Sequence, residues 1–498
     1  MNPIILLAII VVYFAILLFV ALRTGKNSNN DSFFIGNRKS NWMLVAFGMI
    51  GTSLSGVTFV SVPGAVGKDN FGYLQITIGY LIGYVVIAYI LLPLYYRLQL
   101  TSIYGYLQQR LGQLSYKSGA WIFIVSRLVG ATARLYLVVN ILQISILDSL
   151  GVPFFVTALV ILIMIILYTY EGGVKTIVWT DTLQTSCMLL GLVICIFYML
   201  NHLGLNVSES FVAMSEKGFT KVFVSDYHSP SFFIKQILAG AFITITMTGI
   251  DQEMMQKSLS VTKLKDSQKN MVTLGFILLG VISLFLYMGG LLYLYGISEG
   301  GQITEVVKAG VSSKEFLLNG KDVFGDKIFP EVALNHMPGF ISIIFVIALI
   351  SALFPSADGA MTALTSSLCI DVFGLKNKEW TETKKESFRK RIHLIVAFAF
   401  LMMVIIFKLI NDNSMIGLIL KLAGFTYGPL LGLFAFGIFT NYKVKDKLVP
   451  IICIAAPALS FLIDKYQSTI FGEFKIGLEL LIINGLLTFV GLWLIKKK

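Results

Sequence analysis

The chain has 498 residues, 56% of them hydrophobic and only 13% charged, with a formal net charge of +12 and a mean hydropathy of +0.81. That balance excludes a soluble globular domain and describes a polytopic membrane protein. A basic excess would also suit nucleic acid, but here it lies in short loops between apolar runs, where membrane topology accounts for it, and no nucleic-acid partner is expected.

The first apolar run, 3–22, lacks a basic n-region and a small-residue cleavage site, so a retained helix is expected rather than a removed signal peptide. Further runs follow at 42–66, 72–96, 118–147, 152–170, 175–201, 231–250, 271–296, 337–370, 392–411, 414–439, 447–463 and 475–495. Each can cross a hydrocarbon core of roughly 30 Å, so the prediction is an all-α protein with about 13 transmembrane helices in a lipid bilayer. Alternate loops then hold 25 and nine of the 39 basic residues, which places the N-terminus outside and the C-terminus in the cytoplasm. Lys257 and Arg389 belong to the basic loops in that assignment. The setting expected is a bacterial inner (plasma) membrane, with the single chain as the functional unit.

Polar residues inside apolar runs carry the functional signal. In Gly51-Thr-Ser-Leu-Ser-Gly-Val-Thr58, two glycines weaken the helix and four hydroxyls accompany carbonyls that could coordinate a hard cation. Thr246-Met-Thr-Gly-Ile-Asp-Gln-Glu253 is a second polar interruption in a comparable place, which suggests an inverted repeat of discontinuous helices. Asp358 lies within the run Ser351–Asp371. A carboxylate at mid-membrane costs about 2.5–3.5 kcal/mol on insertion scales, so it is expected to face a cavity, a cation or a partner charge.

Five basic residues also fall in or at the margins of spans: Arg127, Arg134, Lys235, Lys408 and Lys421. Lys235 and Lys408 are near helix ends and can snorkel. Arg134 sits mid-span among small residues in Gly130-Ala-Thr-Ala-Arg-Leu-Tyr136, and suits either a bidentate clamp on a substrate carboxylate or a structural ion pair. Four cysteines without metal-ligand spacing and four scattered histidines give no catalytic or zinc constellation, so no enzyme is expected. A channel would need a lining repeated around an axis. A transport-fold sensor that binds solute without accumulating it stays an alternative.

Several motifs in order resemble one family. Asp31-Ser-Phe-Phe-Ile-Gly-Asn-Arg-Lys-Ser-Asn-Trp42 precedes the Gly51 segment; Tyr170-Glu-Gly-Gly-Val-Lys-Thr-Ile-Val-Trp-Thr-Asp-Thr-Leu-Gln184 and Asp251-Gln-Glu-Met-Met-Gln-Lys257 follow. Together, over about 30–440, these resemble the sodium/solute symporters, the family of sialic acid, proline and galactose symporters. The resemblance implies an inverted five-plus-five helix core, with repeats at 42–201 and 231–439, a peripheral helix at 3–22 before them and two at 447–495 after. It implies a co-transported sodium ion, no organic cofactor and a small-molecule substrate imported by alternating access.

By register with that family, sodium would be held by the carbonyls of Gly51 and Leu54 and by Ala352, Pro355 and Ser356. Pro355 departs from the usual serine, although its missing N–H frees the Ser351 carbonyl. Asp181 matches the aspartate that holds a further sodium in sialic acid members, and Asp358 replaces a serine of that site. Two close carboxylates repel unless a cation or proton separates them, so a second cation is expected there, with a protonated Asp358 as the competing account. Substrate positions implied are Ser53, Ser55, Thr58, Gln75, Thr77 and Arg134. An organic anion such as sialic acid or another carboxylate leads; a neutral sugar or an amino acid is the alternative.

Overall fold

The computed structural model describes residues 3–26, 30–38, 40–170, 173–308, 311–410 and 415–497. Lys39, Lys498 and two residues of the Tyr170–Gln184 motif, Glu171 and Gly172, lie outside them.

The described chain is built from apolar helices: α1 (Pro3–Thr24), the pair α2 (Trp42–Ser53) and α3 (Gly56–Asp69), α4 (Tyr73–Arg97), α5 (Gln113–Leu142), α6 (Phe154–Thr169) and α7 (Val174–Leu203). After a short amphipathic helix come the pair α8 (Phe233–Gly249) and α9 (Gln252–Leu259), then α10 (Leu264–Ser298), α11 (Gly339–Val372) and α12 (Glu382–Ile410). A third pair, α13 (Met415–Thr426) and α14 (Gly428–Phe439), precedes α15 (Val449–Lys465) and α16 (Leu480–Leu494). Eight helices among the described residues are long and apolar enough to cross a membrane singly, eleven spans result if each bent pair is one, and α6 and α16 are shorter apolar helices.

One addition to the all-α expectation stands between α10 and α11. Gln302–Lys308 and Val311–Leu318 pair antiparallel, and Lys321–Asp322 adds a short third strand, giving a small sheet in a connecting segment.

The three bends have local causes. α2 and α3 meet at 57°. Leu54 leaves the helical region (φ −94°, ψ 78°), Ser55 is extended, and the Gly51–Gly56 stretch offers little resistance. α8 and α9 meet at 64° because Asp251 acts as an N-cap in mid-chain: its carboxylate accepts from the N–H groups of Glu253 (2.9 Å) and Met254 (3.3 Å) and so starts a new helix. At the 47° bend before α14, Pro429 sits in the first turn of the new helix, where a missing N–H costs nothing.

Small residues set the packing of the core. α4 crosses α8 with Gly79 and Gly240 at the contact; a Cβ on Gly79 would lie 2.1 Å from the Ile237 carbonyl oxygen, and one on Gly240 2.2 Å from that of Ile76. Such backbone approach is how apolar helices associate when lipid removes the hydrophobic drive between them. α11 is central, with 78% of its apolar stretch buried, whereas α1 and α15 bury only 22% of theirs and lie at the periphery.

Candidate substrate and cation sites

Between the bends lies a cavity of ≈ 110 Å³. Its walls come from the α2–α3 junction (Thr52, Ser53, Leu54, Ser55, Val57, Thr58), one face of α4 (Tyr73, Tyr80, Tyr84), Arg127 and Arg134 of α5, Thr244, Met247 and Thr248 of α8, and Ile419 and Leu420 of α13. All three broken pairs therefore border it. Of the expected substrate residues, Ser53, Ser55, Thr58 and Arg134 line it.

Gln75 and Thr77 do not line the cavity, which corrects their expected place. The Gln75 amide donates to the Gly72 carbonyl (3.0 Å) and accepts from the Val224 N–H (3.2 Å), tying the start of α4 to the connection before α8. The Thr77 hydroxyl donates back to the Tyr73 carbonyl (3.1 Å). The residues sequence reasoning missed are the tyrosines of α4 and Thr244 and Thr248. Tyr73, Tyr80 and Tyr84 recur at helical spacing on one face, which is the signal that would have found them.

The two arginines of α5 differ in kind. Arg127 is consumed by the protein: it is ion-paired with Glu253 of α9 and lies 3.8 Å from Asp251, which also accepts from the Tyr427 hydroxyl at 2.9 Å. Arg134 lines the cavity and has no ion-pair or hydrogen-bond partner among the described residues. Lys421, also open in the sequence, pairs with Asp464 of α15 at 2.9 Å. Lys408 donates to the Asn140 side chain (2.8 Å) and Lys235 to the Ser229 and Lys475 carbonyls (3.2 and 3.1 Å), both close to helix ends as snorkelling requires.

The expected sodium ligands are all buried and converge. The last helical bond of α2 is Leu54 N–H to Ile50 C=O (2.7 Å), and the ladder resumes with Phe59 N–H to Ser55 C=O (3.1 Å), so the carbonyls of Gly51 to Leu54 fall between the two. This gap lies against α11: a Cβ on Gly51 would be 3.5 Å from Pro355 Cγ, and one on Gly56 3.8 Å from the Leu353 backbone. Ala352, Pro355 and Ser356 thus belong to the facing turn of α11. Ser356 donates its proton to the Leu353 carbonyl (2.9 Å), which leaves the hydroxyl lone pairs free to accept a cation. Thr185 of α7 points into the same junction, its Oγ1 2.3 Å from where a Gly51 Cβ would be, and has no hydrogen-bond partner among the described residues. This donor set, carbonyl and hydroxyl oxygens in a dry setting, suits a hard monovalent cation.

Asp181 and Asp358 are fully buried next to this junction. Gly173 starts α7 with φ +50°, a conformation that favours glycine, and a Cβ there would strike the Phe33 ring at 2.6 Å. α7 then carries Asp181 inward to meet Lys257 Nζ at 2.7 Å, while Thr52 Oγ1 lies 3.3 Å from the same carboxylate oxygen. Asp358 Oδ2 accepts from the Tyr168 hydroxyl (2.7 Å). Lys257, counted above among the loop basics, is 2% exposed; Arg389, counted likewise, is 2% exposed and lies over the Phe33 ring at 4.1 Å.

Discontinuous helices enclosing a polar cavity, with backbone carbonyls outside the helical ladder at one bend, are the architecture of a secondary transporter of the inverted-repeat, LeuT-like class. The model of the sodium:solute symporter family matches residues 33–445, and the chain belongs to that family. It is 22% identical to the sodium/sialic acid symporter SiaT of Proteus mirabilis, over 87% of this chain and 84% of that protein. It is 23% identical to the sodium-coupled monocarboxylate transporter 2 of Mus musculus, over 85% and 66%. A solved sodium-coupled sialic acid symporter, substrate-bound and outward-open, superposes with a TM-score of 0.80 at 19% identity, covering 99% of each chain. The protein is a multi-pass sodium-coupled symporter and not an enzyme; sodium is its co-transported ion.

Proposed function

We infer that the protein imports a small organic anion, whose carboxylate is held by Arg134, together with sodium bound between the α2–α3 junction and α11. The observation that carries this reading is Arg134: a cation lining the cavity whose neighbour Arg127 is already ion-paired with Glu253, while Arg134 itself makes no ion pair among the described residues. A guanidinium in that position is matched by a carboxylate, which accepts two parallel N–H bonds. The hydroxyls of Ser53, Ser55 and Thr58 orient the remainder of the solute. A neutral sugar would leave Arg134 without a carboxylate to pair with.

An apolar cavity of roughly 150 Å³ holds one benzene molecule, so the ≈ 110 Å³ cavity has room for a body the size of propionate or lactate. The relative that carries monocarboxylates supports the same class.

Sodium and solute are coupled through one junction. Gly51 and Leu54 offer carbonyls to the ion, while Ser53 and Ser55, beside them in the chain, face the solute. An ion that fixes the junction therefore forms half of the solute site, and by reciprocity the solute raises sodium affinity by the same factor, typically 1–3 kcal/mol. Alternating access would then move the repeats at 42–201 and 231–439 against each other, in a single chain with its N-terminus outside and its C-terminus in the cytoplasm.

The test is ligand-dependent thermal stabilisation of the purified protein with propionate, lactate, sialic acid, glucose and proline, each in sodium and in potassium. The reading predicts an upward Tm shift with a carboxylate in sodium only, since a ligand that binds the native state alone stabilises it in proportion to ln(1 + [L]/Kd). Stabilisation by glucose or proline but by none of propionate, lactate and sialic acid would sink it. A transport-fold sensor would bind in the same way yet fail to accumulate solute.

A further inference from the structure

The Asp181–Asp358 pair calls for a positive charge, and the chain itself supplies one. Lys257 projects from α9, the inserted half of a broken helix, to place Nζ 2.7 Å from Asp181 Oδ2 and 2.6 Å from Thr52 Oγ1, with Glu253 Oε1 at 3.9 Å. Its access is made by Gly359, one residue beyond Asp358. A Cβ at that position would lie 2.3 Å from Glu253 Oε1 and 3.1 Å from Lys257 Nζ. The ammonium is therefore seated beside α11 at the level of Asp358, with three oxygens around it.

We propose that Lys257 is a tethered cation that fills the inner carboxylate site, so that this symporter binds one sodium ion and not two. An ammonium and a sodium ion cannot share the Asp181 oxygen in a dry site, because each would be a like charge within a few ångströms of the other. Lys257 also ties the second repeat to the first: α9 carries it, Thr52 belongs to the α2 end of the first bend, and Asp181 belongs to α7. The remaining ion site, at Gly51, Leu54 and Ser356, is separate from this contact and keeps its oxygens. Resting on the proposed function above, one sodium moving with one monocarboxylate carries no net charge, and inward transport would not respond to membrane potential.

The decisive experiment counts sodium ions bound to the purified full-length protein at equilibrium with radioactive sodium and no organic solute, so that an error in the anion assignment cannot affect it. The expected count is one per chain in the wild type, with a Hill coefficient of one, rising toward two in Lys257→Met and returning to one in Lys257→Arg. Two ions per wild-type chain would overturn the proposal, whether or not Lys257→Met folds. One ion in the wild type and still one in a folded Lys257→Met would overturn it equally, since the vacated site would then hold no cation. A second readout is initial uptake of labelled carboxylate at zero and at inside-negative potential: equal wild-type rates support the proposal, and a several-fold acceleration at negative potential contradicts it.

Discussion

Replacing Arg134 by alanine removes the cation that the proposed substrate would meet in the cavity. Arg134 lines that cavity and is bound to no protein carboxylate among the described residues, so its loss should spare the fold and fall on the solute. A guanidinium–carboxylate fork makes two charge-assisted hydrogen bonds of about 1.5–3 kcal/mol each. Because a carboxylate left without its partner must also remain desolvated, truncations of this kind cost about 2–5 kcal/mol. A loss near the middle of that range, about 3 kcal/mol, raises KM on the order of 100-fold. Arg134→Lys keeps the charge but not the planar fork and should recover part of the loss, leaving a deficit of about tenfold. The assay is initial-rate uptake in proteoliposomes under a fixed sodium gradient, with sodium binding measured in parallel without solute. Sodium affinity should be unchanged in both variants, because the expected ion ligands belong to the α2–α3 junction and α11. An Arg134→Ala KM within about threefold of wild type would refute the clamp.

Other consequences are more local. Ser356→Ala removes one oxygen of the expected sodium set and should raise the sodium concentration for half-maximal uptake about tenfold, near 1.4 kcal/mol, with the Tm little changed. Arg127→Ala should behave differently from Arg134→Ala: it strands Glu253 and Asp251, both fully buried, at a cost of about 3–5 kcal/mol, and should appear as a lower Tm and poor yield before any kinetic change. Gly240→Leu drives a large side chain into the Ile76 carbonyl, where even a Cβ would lie at 2.2 Å, and should lower Tm by several degrees while Gln75→Ala, outside the cavity, leaves solute affinity unchanged.

What the sequence made legible followed from the cost of polar groups in lipid. Long apolar runs located the spans, and the breaks at Gly51–Gly56 and before Asp251 were visible because each combines glycine with a run of polar residues inside an apolar segment. Arg134 stood out for the same reason. The cavity's tyrosines did not, since an aromatic stripe at helical spacing reads as ordinary core until the bends show what it faces. Gln75 and Thr77 were placed by register alone, and their hydrogen bonds within α4 and to the connection before α8 were invisible in that register. Lys257 was the instructive miss. A lysine at the edge of a basic loop satisfies the topology count, and only the 64° bend between α8 and α9 turns it inward to Asp181. The small sheet between α10 and α11 was hidden by its short strands within a connecting segment.

On the proposed function, a sodium gradient drives accumulation of a small carboxylate through this chain. The most direct test is uptake of labelled propionate, lactate and sialic acid into proteoliposomes of the purified protein, comparing an inward sodium gradient with an equal potassium gradient. Sodium-dependent accumulation of a short carboxylate above its external concentration is expected, abolished at low solute concentration in Arg134→Ala. Equal uptake in potassium, or no sodium-driven accumulation of any of the three carboxylates, would contradict it.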